Sequence, residues 1–317
     1  MKLQMSHIIF HTALFFLLAT WGISSPALCQ QEDIPVIKAG HLFDIKGGFL
    51  HPSDVAVGPR GDIYVLDGVN NRIKVFSSGG KYRFSFGSQG EGNGKFKYPL
   101  GIDVDKDGSI YIADSGNHLV QIFDSGGNFK FQFPVKVKNG KKPSDPTDVA
   151  IDESQNRCYV IDNDNHAVLV YPADGSRLLE QWGSRGFERG QFYNPFLAAV
   201  GQDSSIYVVE VLNTRVQSLN PEGKVISVIG KWGIDRGQFY RPKGVAVDKK
   251  NRVFVSDSYL GVIQIFNKNG SFISVLNDTN GKLLRLQTPV GIAVDHKLRL
   301  YVVEMTQNRV RVFQIQD

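Results

Sequence analysis

Residues 99–123 read PLGIDVDKDGSIYIADSGNHLVQIF, and the plan of this stretch returns along the whole chain. A proline opens it and the short apolar run GIDVD follows. Tyr111 then marks a second run, and the acid Asp114 stands three residues beyond it. A turn leads into a third run, Leu119-Val-Gln-Ile-Phe123. Outward from this unit the prolines are Pro52, Pro99, Pro146, Pro195, Pro242 and Pro289, at spacings of 47, 47, 49, 47 and 47. Each is followed, twelve or thirteen residues on, by Tyr64, Tyr111, Tyr159, Tyr207, Phe254 or Tyr301. Three residues after each aromatic comes an acid: Asp67, Asp114, Asp162, Glu210, Asp257 and Glu304.

Short runs rich in β-branched and aromatic residues, separated by Gly, Asn and Asp, read as strands. A fourth run completes the unit, as in YRFSF at 82–86 and VISVI at 225–229. A fixed period of this length with four strands per repeat is the mark of a propeller blade. Six repeats therefore predict an all-β, six-bladed β-propeller over residues 30–317. The last unit stops after its third strand, and an unmatched run at 41–45 precedes the first proline. That run is expected to pair with residues 309–314 and close the ring, which removes the unpaired edges of an open array.

The first 29 residues differ from the rest: Lys2 is followed by an apolar stretch whose unbroken core, near 12–21, is shorter than the ~20 residues of a spanning helix. This is the layout of a signal peptide, with small residues Ala27 and Cys29 placed for cleavage before Gln30. The other reading is lipidation of Cys29, against which Leu28 stands where a small residue is wanted. The expectation is an exported protein, periplasmic or secreted. No later segment has the length and apolarity of a span. Loss of residues 1–29 lowers the net charge from +5 to +4 and leaves Cys158 as the single cysteine, so no internal disulfide forms. A mildly basic exported chain points away from nucleic acid.

The turn between the second and third strands carries Asn117-His118-Leu119 in the second unit. Equivalent turns read Asn70-Asn71-Arg72, Asn165-His166-Ala167, Asn213-Thr214-Arg215 and Gln307-Asn308-Arg309. With the connectors Trp182-Gly183…Gly190-Gln191-Phe192 and Trp232-Gly233…Gly237-Gln238-Phe239, the chain resembles the NHL-repeat proteins over residues 40–317. The resemblance implies fold more than function, since propellers host many unrelated activities. Some relatives join the propeller to ubiquitin-ligase domains, and no RING cysteines are present here. Others bind RNA through a basic face. Enzymatic propellers that resemble the amidating lyase place zinc-binding histidines directly after the connector proline, where this chain has Ser53, Leu100, Thr147, Phe196, Lys243 and Val290. Lactonase-like propellers use a glutamate at the start of an inner strand, and none stands there. No catalytic residue, metal or cofactor is assigned on these grounds. The expected role is a binding or scaffold module for a protein, peptide or glycan, with a metal-dependent lyase or lactonase as the alternative.

Alternating strands bring the connectors and the turns after the second strands to one face, which makes the residues after the prolines candidates for a binding rim. Leu100, Phe196 and Val290 are expected there as exposed apolar groups, or as caps on the packing between blades. Lys243 and Arg241 would supply cationic charge and Asp54 and Asp148 the opposing one. Asp103 replaces the alanine found at 56, 150, 199, 246 and 293. A buried carboxylate is costly unless paired. It therefore meets a basic partner or water in the channel wall, or joins Asp54 and Asp148 around a ligand or cation. The six acids after the second strands read as turn-stabilising pairs, three of them with an arginine five residues on. His51, His118 and His166 share one face, yet two of them occupy a turn slot. The connector around Lys136, Lys138, Lys141 and Lys142 is either a docking patch for an acidic partner or a solvated loop.

Overall fold

The computed structural model describes residues 36–138 and 143–316. The first 29 residues, Cys29 among them, and Lys141 and Lys142 of the lysine-rich connector lie outside the described residues. The repeats form six four-stranded antiparallel sheets. In the first blade the strands are Asp54–Val57, Ile63–Asp67, Arg72–Phe76 and Tyr82–Phe86, in order from the centre outward. The second runs through Pro99–Val104, Ile110–Asp114, Leu119–Phe123 and Phe129–Pro134. Among the described residues the helical pieces are three 3-10 turns, Gly68–Asn70, Ser115–Asn117 and Met305–Gln307.

The N-terminal strand Lys38–Ile45 completes the sixth blade by pairing antiparallel with Arg309–Gln316, with His41 opposite Phe313 and Ile45 opposite Val310. The first and last strands of the described residues are thus neighbours in one sheet, as the surplus and the missing strand predict.

Every second strand is buried on both faces, as in Ile63–Asp67 and Ile206–Glu210. A strand covered on both sides has no solvent face to alternate with, so it reads as a continuous apolar run. The core lies in layers between neighbouring blades. One layer sets Tyr64, Leu66, Ile73 and Val75 of the first blade against Phe96, Ile102, Ile112 and Phe123 of the second.

The repeated acids tie each connector to its own blade. Asp67 Oδ1 accepts the Leu50 N–H at 2.7 Å, Asp114 Oδ1 that of Lys97 at 2.8 Å and Glu210 Oε2 that of Tyr193 at 3.0 Å. Arg72, Arg215 and Arg309 pair with Asp67, Glu210 and Glu304, the turn-stabilising role expected of them. The turn slot works between blades. Asn71, His118, His166, Thr214 and Asn308 all have left-handed backbone with φ of 49–60°, a region that Asn and His enter more readily than most residues. Asn71 Oδ1 accepts the Tyr98 N–H at 2.9 Å, and Asn308 Oδ1 accepts the His51 N–H at 2.8 Å. The residue in this turn slot therefore fastens the connector of the following blade.

Candidate functional site

The inner strands surround a central cavity of about 470 Å3. Its lining starts at Asp54, Ile102, Asp148, Leu197, Val245 and Ile292 and runs to the exposed loop residues Pro59, Lys106, Glu153, Gln202 and His296. Those loops follow the inner strands, so the cavity opens on the face opposite the connectors.

Three of the expected site residues line it, on consecutive blades. Asp54 Oδ2 accepts the Ile102 N–H at 3.1 Å, Asp103 Oδ2 the Ile151 N–H at 2.8 Å, and Asp148 Oδ2 the Ala198 N–H at 2.7 Å. Each carboxyl thus reaches across to the backbone of the next blade. Asp103 Oδ1 also accepts the Val104 N–H at 2.8 Å. Asp103 was expected to meet a base or water if not a ligand; its partners here are backbone amides. Asp148 Oδ1 is buried and finds no hydrogen-bond partner among the described residues.

Burial raises all three acids, because the anion loses its water. Asp54 is pushed up to about 8 and Asp103 to about 6. For Asp148, burial and then the charge of Asp54 raise it well above the usual carboxylate range. Asp54 and Asp148 were expected as negative charges on the rim. They are instead buried wall groups, with Asp54 largely protonated at neutral pH.

The residues directly after the prolines do not line the cavity. Val290 is buried, and Leu100 and Phe196 are half-buried, so the exposed apolar rim expected at these positions does not form. The reason is blade-to-blade contact at the start of the inner strands. Ser53 Oγ donates to Leu100 O at 2.9 Å, Thr147 Oγ1 to Phe196 O at 2.8 Å and Ser256 Oγ to Val290 O at 2.7 Å. Lys243 Nζ lies 4.3 Å from the centre of the Phe196 ring, a cation–π contact. Burial and then the neighbouring Arg241 hold the Lys243 ammonium below its usual pKa. Arg241 itself is exposed.

Exposed apolar surface on the connector face comes from other residues. Tyr98 in a connector is 65% exposed, Leu212 and Tyr259 in turns 56% and 64%, and Trp232 in a connector 71%. Tyr240 stacks on Tyr259 with ring centroids 4.0 Å apart. The connector sequence KFKYP around Tyr98 and the Trp-Gly connector of the fifth blade carried this signal as linker pattern alone; which side of a linker meets solvent is fixed only in three dimensions. On the same face, His118 Nδ1 contacts Ser144 O, and His166 Nδ1 accepts the Asn194 N–H. These are turn residues with local partners.

The NHL repeat family matches residues 49–76 and 96–123, which are the connector and first three strands of blade one and the same part of blade two. The chain is a six-bladed β-propeller whose first two blades carry NHL repeats. Among curated proteins, the chain is 39% identical over 62 residues to Protein brain tumor of Drosophila melanogaster, which is 20% of this chain and 6% of that protein. It is 42% identical over 55 residues to B-box type zinc finger protein ncl-1 of Caenorhabditis elegans, 17% of this chain and 6% of that one. The matched stretch is thus a small part of either relative. Among solved structures it is similar to a streptogramin B lyase, with a TM-score of 0.64 and 11% identity over 88% of this chain and 98% of that one. It is also similar to a gluconolactonase from Xanthomonas campestris, with a TM-score of 0.66 and 14% identity over 90% and 96%. At such identities the likeness is one of fold alone.

Proposed function

We propose that this NHL propeller is an extracytoplasmic binding module that holds a protein, peptide or glycan partner on its connector face. The observation that carries the reading is the set of exposed apolar side chains there: Tyr98, Leu212, Trp232 and Tyr259. Contiguous exposed apolar surface marks interaction sites, and the stacked Tyr240–Tyr259 pair is such a surface here; aromatic residues dominate the energetics of such sites. Arg241 adds an exposed cation beside Tyr240. The alternative, a metal-dependent lyase or lactonase, draws its support from fold likeness to the lyase and lactonase structures.

Two measurements test the proposal. Fractionation of cells expressing the full chain should place it outside the cytoplasm, and recovery in the cytoplasm overturns that part. A triple variant Leu212→Ser, Trp232→Ser and Tyr259→Ser should lose capture of the natural partner from the exported fraction at an unchanged melting temperature. Lys249→Ser, at an exposed loop on the opposite face, should retain it. Equal capture by both variants places the partner elsewhere.

A further inference from the structure

A second cavity of about 470 Å3 lies at the outer end of blade five, where its outermost strand Phe272–Val275 meets the connector face. Val262 of the third strand and Phe272 of the outermost one line it from below. Ile234 and Arg236 reach it from the connector before the blade, and Leu283 and Arg285 from the connector after it.

Blade four explains why this space is open. Its connector sequence RGQF at 189–192 recurs at 236–239. In blade four Arg215, the first residue of the third strand, donates to the carbonyls of Phe187, Glu188 and Gln191. Arg189 donates to Val225 O and Ile226 O of the outermost strand, both at 3.3 Å. In blade five Val262 stands in the place of Arg215 and leaves empty the room that a guanidinium fills next door. Arg236 stands in the place of Arg189, yet its guanidinium makes no hydrogen bond and meets no acid among the described residues.

Arg285 donates to Leu260 O at 2.9 Å and likewise meets no acid among the described residues. Ile234 is 71% exposed, and Leu283 is exposed as well. Each connector thus brings one exposed aliphatic side chain and one arginine without an acid to the same cavity. Asp235 is the single acid in the lining, so its net charge is positive.

We propose that this groove seats an extended peptide segment of the partner in which aliphatic side chains alternate with acidic ones. In an extended chain successive side chains point to opposite sides. The aliphatic set then covers Val262, Phe272, Ile234 and Leu283, and the carboxylates meet the two guanidinium groups, whose planar fork matches a carboxylate. Sugar rings suit the lining less, because their hydroxyls would lose water against aliphatic carbon without gaining a partner. The groove is already formed. Gln264 holds the connector before the blade, accepting the Gly237 N–H at 2.8 Å and donating to Gln238 O at 2.5 Å. The connector after the blade is fixed by the Leu284 N–H on Leu276 O at 3.0 Å and the Leu286 N–H on Gly261 O at 2.9 Å. Little ordering is left to oppose binding. The groove belongs to the connector face, so this inference rests on the reading of that face as the partner surface and adds the partner's chemistry.

The test is calorimetric titration of the full chain with a peptide of alternating glutamate and leucine, five residues long and blocked at both ends. Three peptides of the same length serve as comparisons: glutamine with leucine, glutamate with serine, and lysine with leucine. The expected result is one saturable site for the glutamate–leucine peptide, weakening as salt is raised. The other three should bind at least about fivefold more weakly. The double variants Ile234→Ser, Arg236→Ser and Leu283→Ser, Arg285→Ser should each lose about fivefold or more at an unchanged melting temperature. Lys249→Ser, on the opposite face, should bind as the unaltered chain does. Equal binding of the glutamate and glutamine peptides, tighter binding of the lysine peptide, saturation by none, or undiminished binding in both double variants overturns the proposal. So does saturation by an oligogalacturonate in place of the peptide. Partner capture that survives both groove variants but is lost in the triple variant at Leu212, Trp232 and Tyr259 overturns this inference and leaves the connector-face reading standing. Peptide binding at the groove with partner capture intact in the triple variant supports the groove and removes those three residues as the contact surface.

Discussion

Gly101 of the second blade lies directly against Asp148 of the third: a β-carbon on Gly101 would stand 2.1 Å from Asp148 Oδ1 and 2.6 Å from its Cα. Gly291 and Asp54 repeat the relationship between blades six and one, at 2.2 Å and 2.6 Å. The inner strands approach so closely at this level that an acid on one blade requires a glycine on its neighbour.

Gly101→Ala should therefore be strongly destabilising, because the clash is with backbone as well as with the carboxyl. Overpacking of this kind costs roughly 1–3 kcal/mol and sometimes more. Removing the carboxyl in the double variant Gly101→Ala, Asp148→Ala should rescue only part of the loss. Gly79→Ala, which meets nothing within 4 Å, is the control. Urea unfolding of the three proteins decides it.

The buried pair Glu210 and Arg215 should matter far more than an exposed one. Glu210 accepts hydrogen bonds from Arg215, Asn213, Gln217 and the Tyr193 amide. Arg215→Ala leaves a buried carboxylate short of its cation and removes the guanidinium bonds to the carbonyls of Phe187, Glu188 and Gln191, at a cost of about 3–5 kcal/mol. Asp203→Ala breaks a pair with Lys268 whose side chains are 36% and 57% exposed, and should cost less than about 1 kcal/mol. A comparable loss from both would show that burial is not the deciding factor.

Stability should fall as pH rises through the neutral range. Asp54 is pushed from the ordinary 3.8 up to about 8 by burial. Below 3.8 folded and unfolded chains both hold the proton, and the contribution is fully present. Between 3.8 and about 8 the unfolded chain has lost it while the folded chain keeps it, so unfolding releases a proton and rising pH favours the unfolded state. Asp103 acts with the same sign up to about 6. The Tm should drop between about pH 5 and about pH 8.5, and Asp54→Asn should flatten the slope. A Tm that rises over this range contradicts the assignment.

Removal of residues 30–47 should open the ring. The strand Lys38–Ile45 is the outer partner of Arg309–Gln316 and brings Ala39 and Ile45 into the core. Without it the truncated chain should lose its single cooperative melting transition and expose the edge of the sixth blade. A melting curve like that of the chain starting at residue 30 would contradict the closure.

By itself the sequence determined the number of blades, their boundaries and the closing strand. Each of these is a local or periodic signal: a proline every 47 to 49 residues, a buried second strand readable as an apolar run, and a surplus strand matched to a missing one. It also showed that Asp103 breaks an alanine pattern. Which side chains face the cavity and which face solvent was decided only by the tertiary structure. The residue after each proline and the residue two after it differ by one step along a strand, yet Asp54 and Asp148 reach the channel, while Val290 is buried and Lys243 lies on Phe196. The physical reason is that an inner strand meets two neighbouring blades at once. The orientation of each side chain depends on whether the facing blade offers a glycine, as Gly101 does to Asp148, or a carbonyl, as Phe196 does to Thr147. That information is held by residues about 50 positions apart and is expressed only when the ring closes.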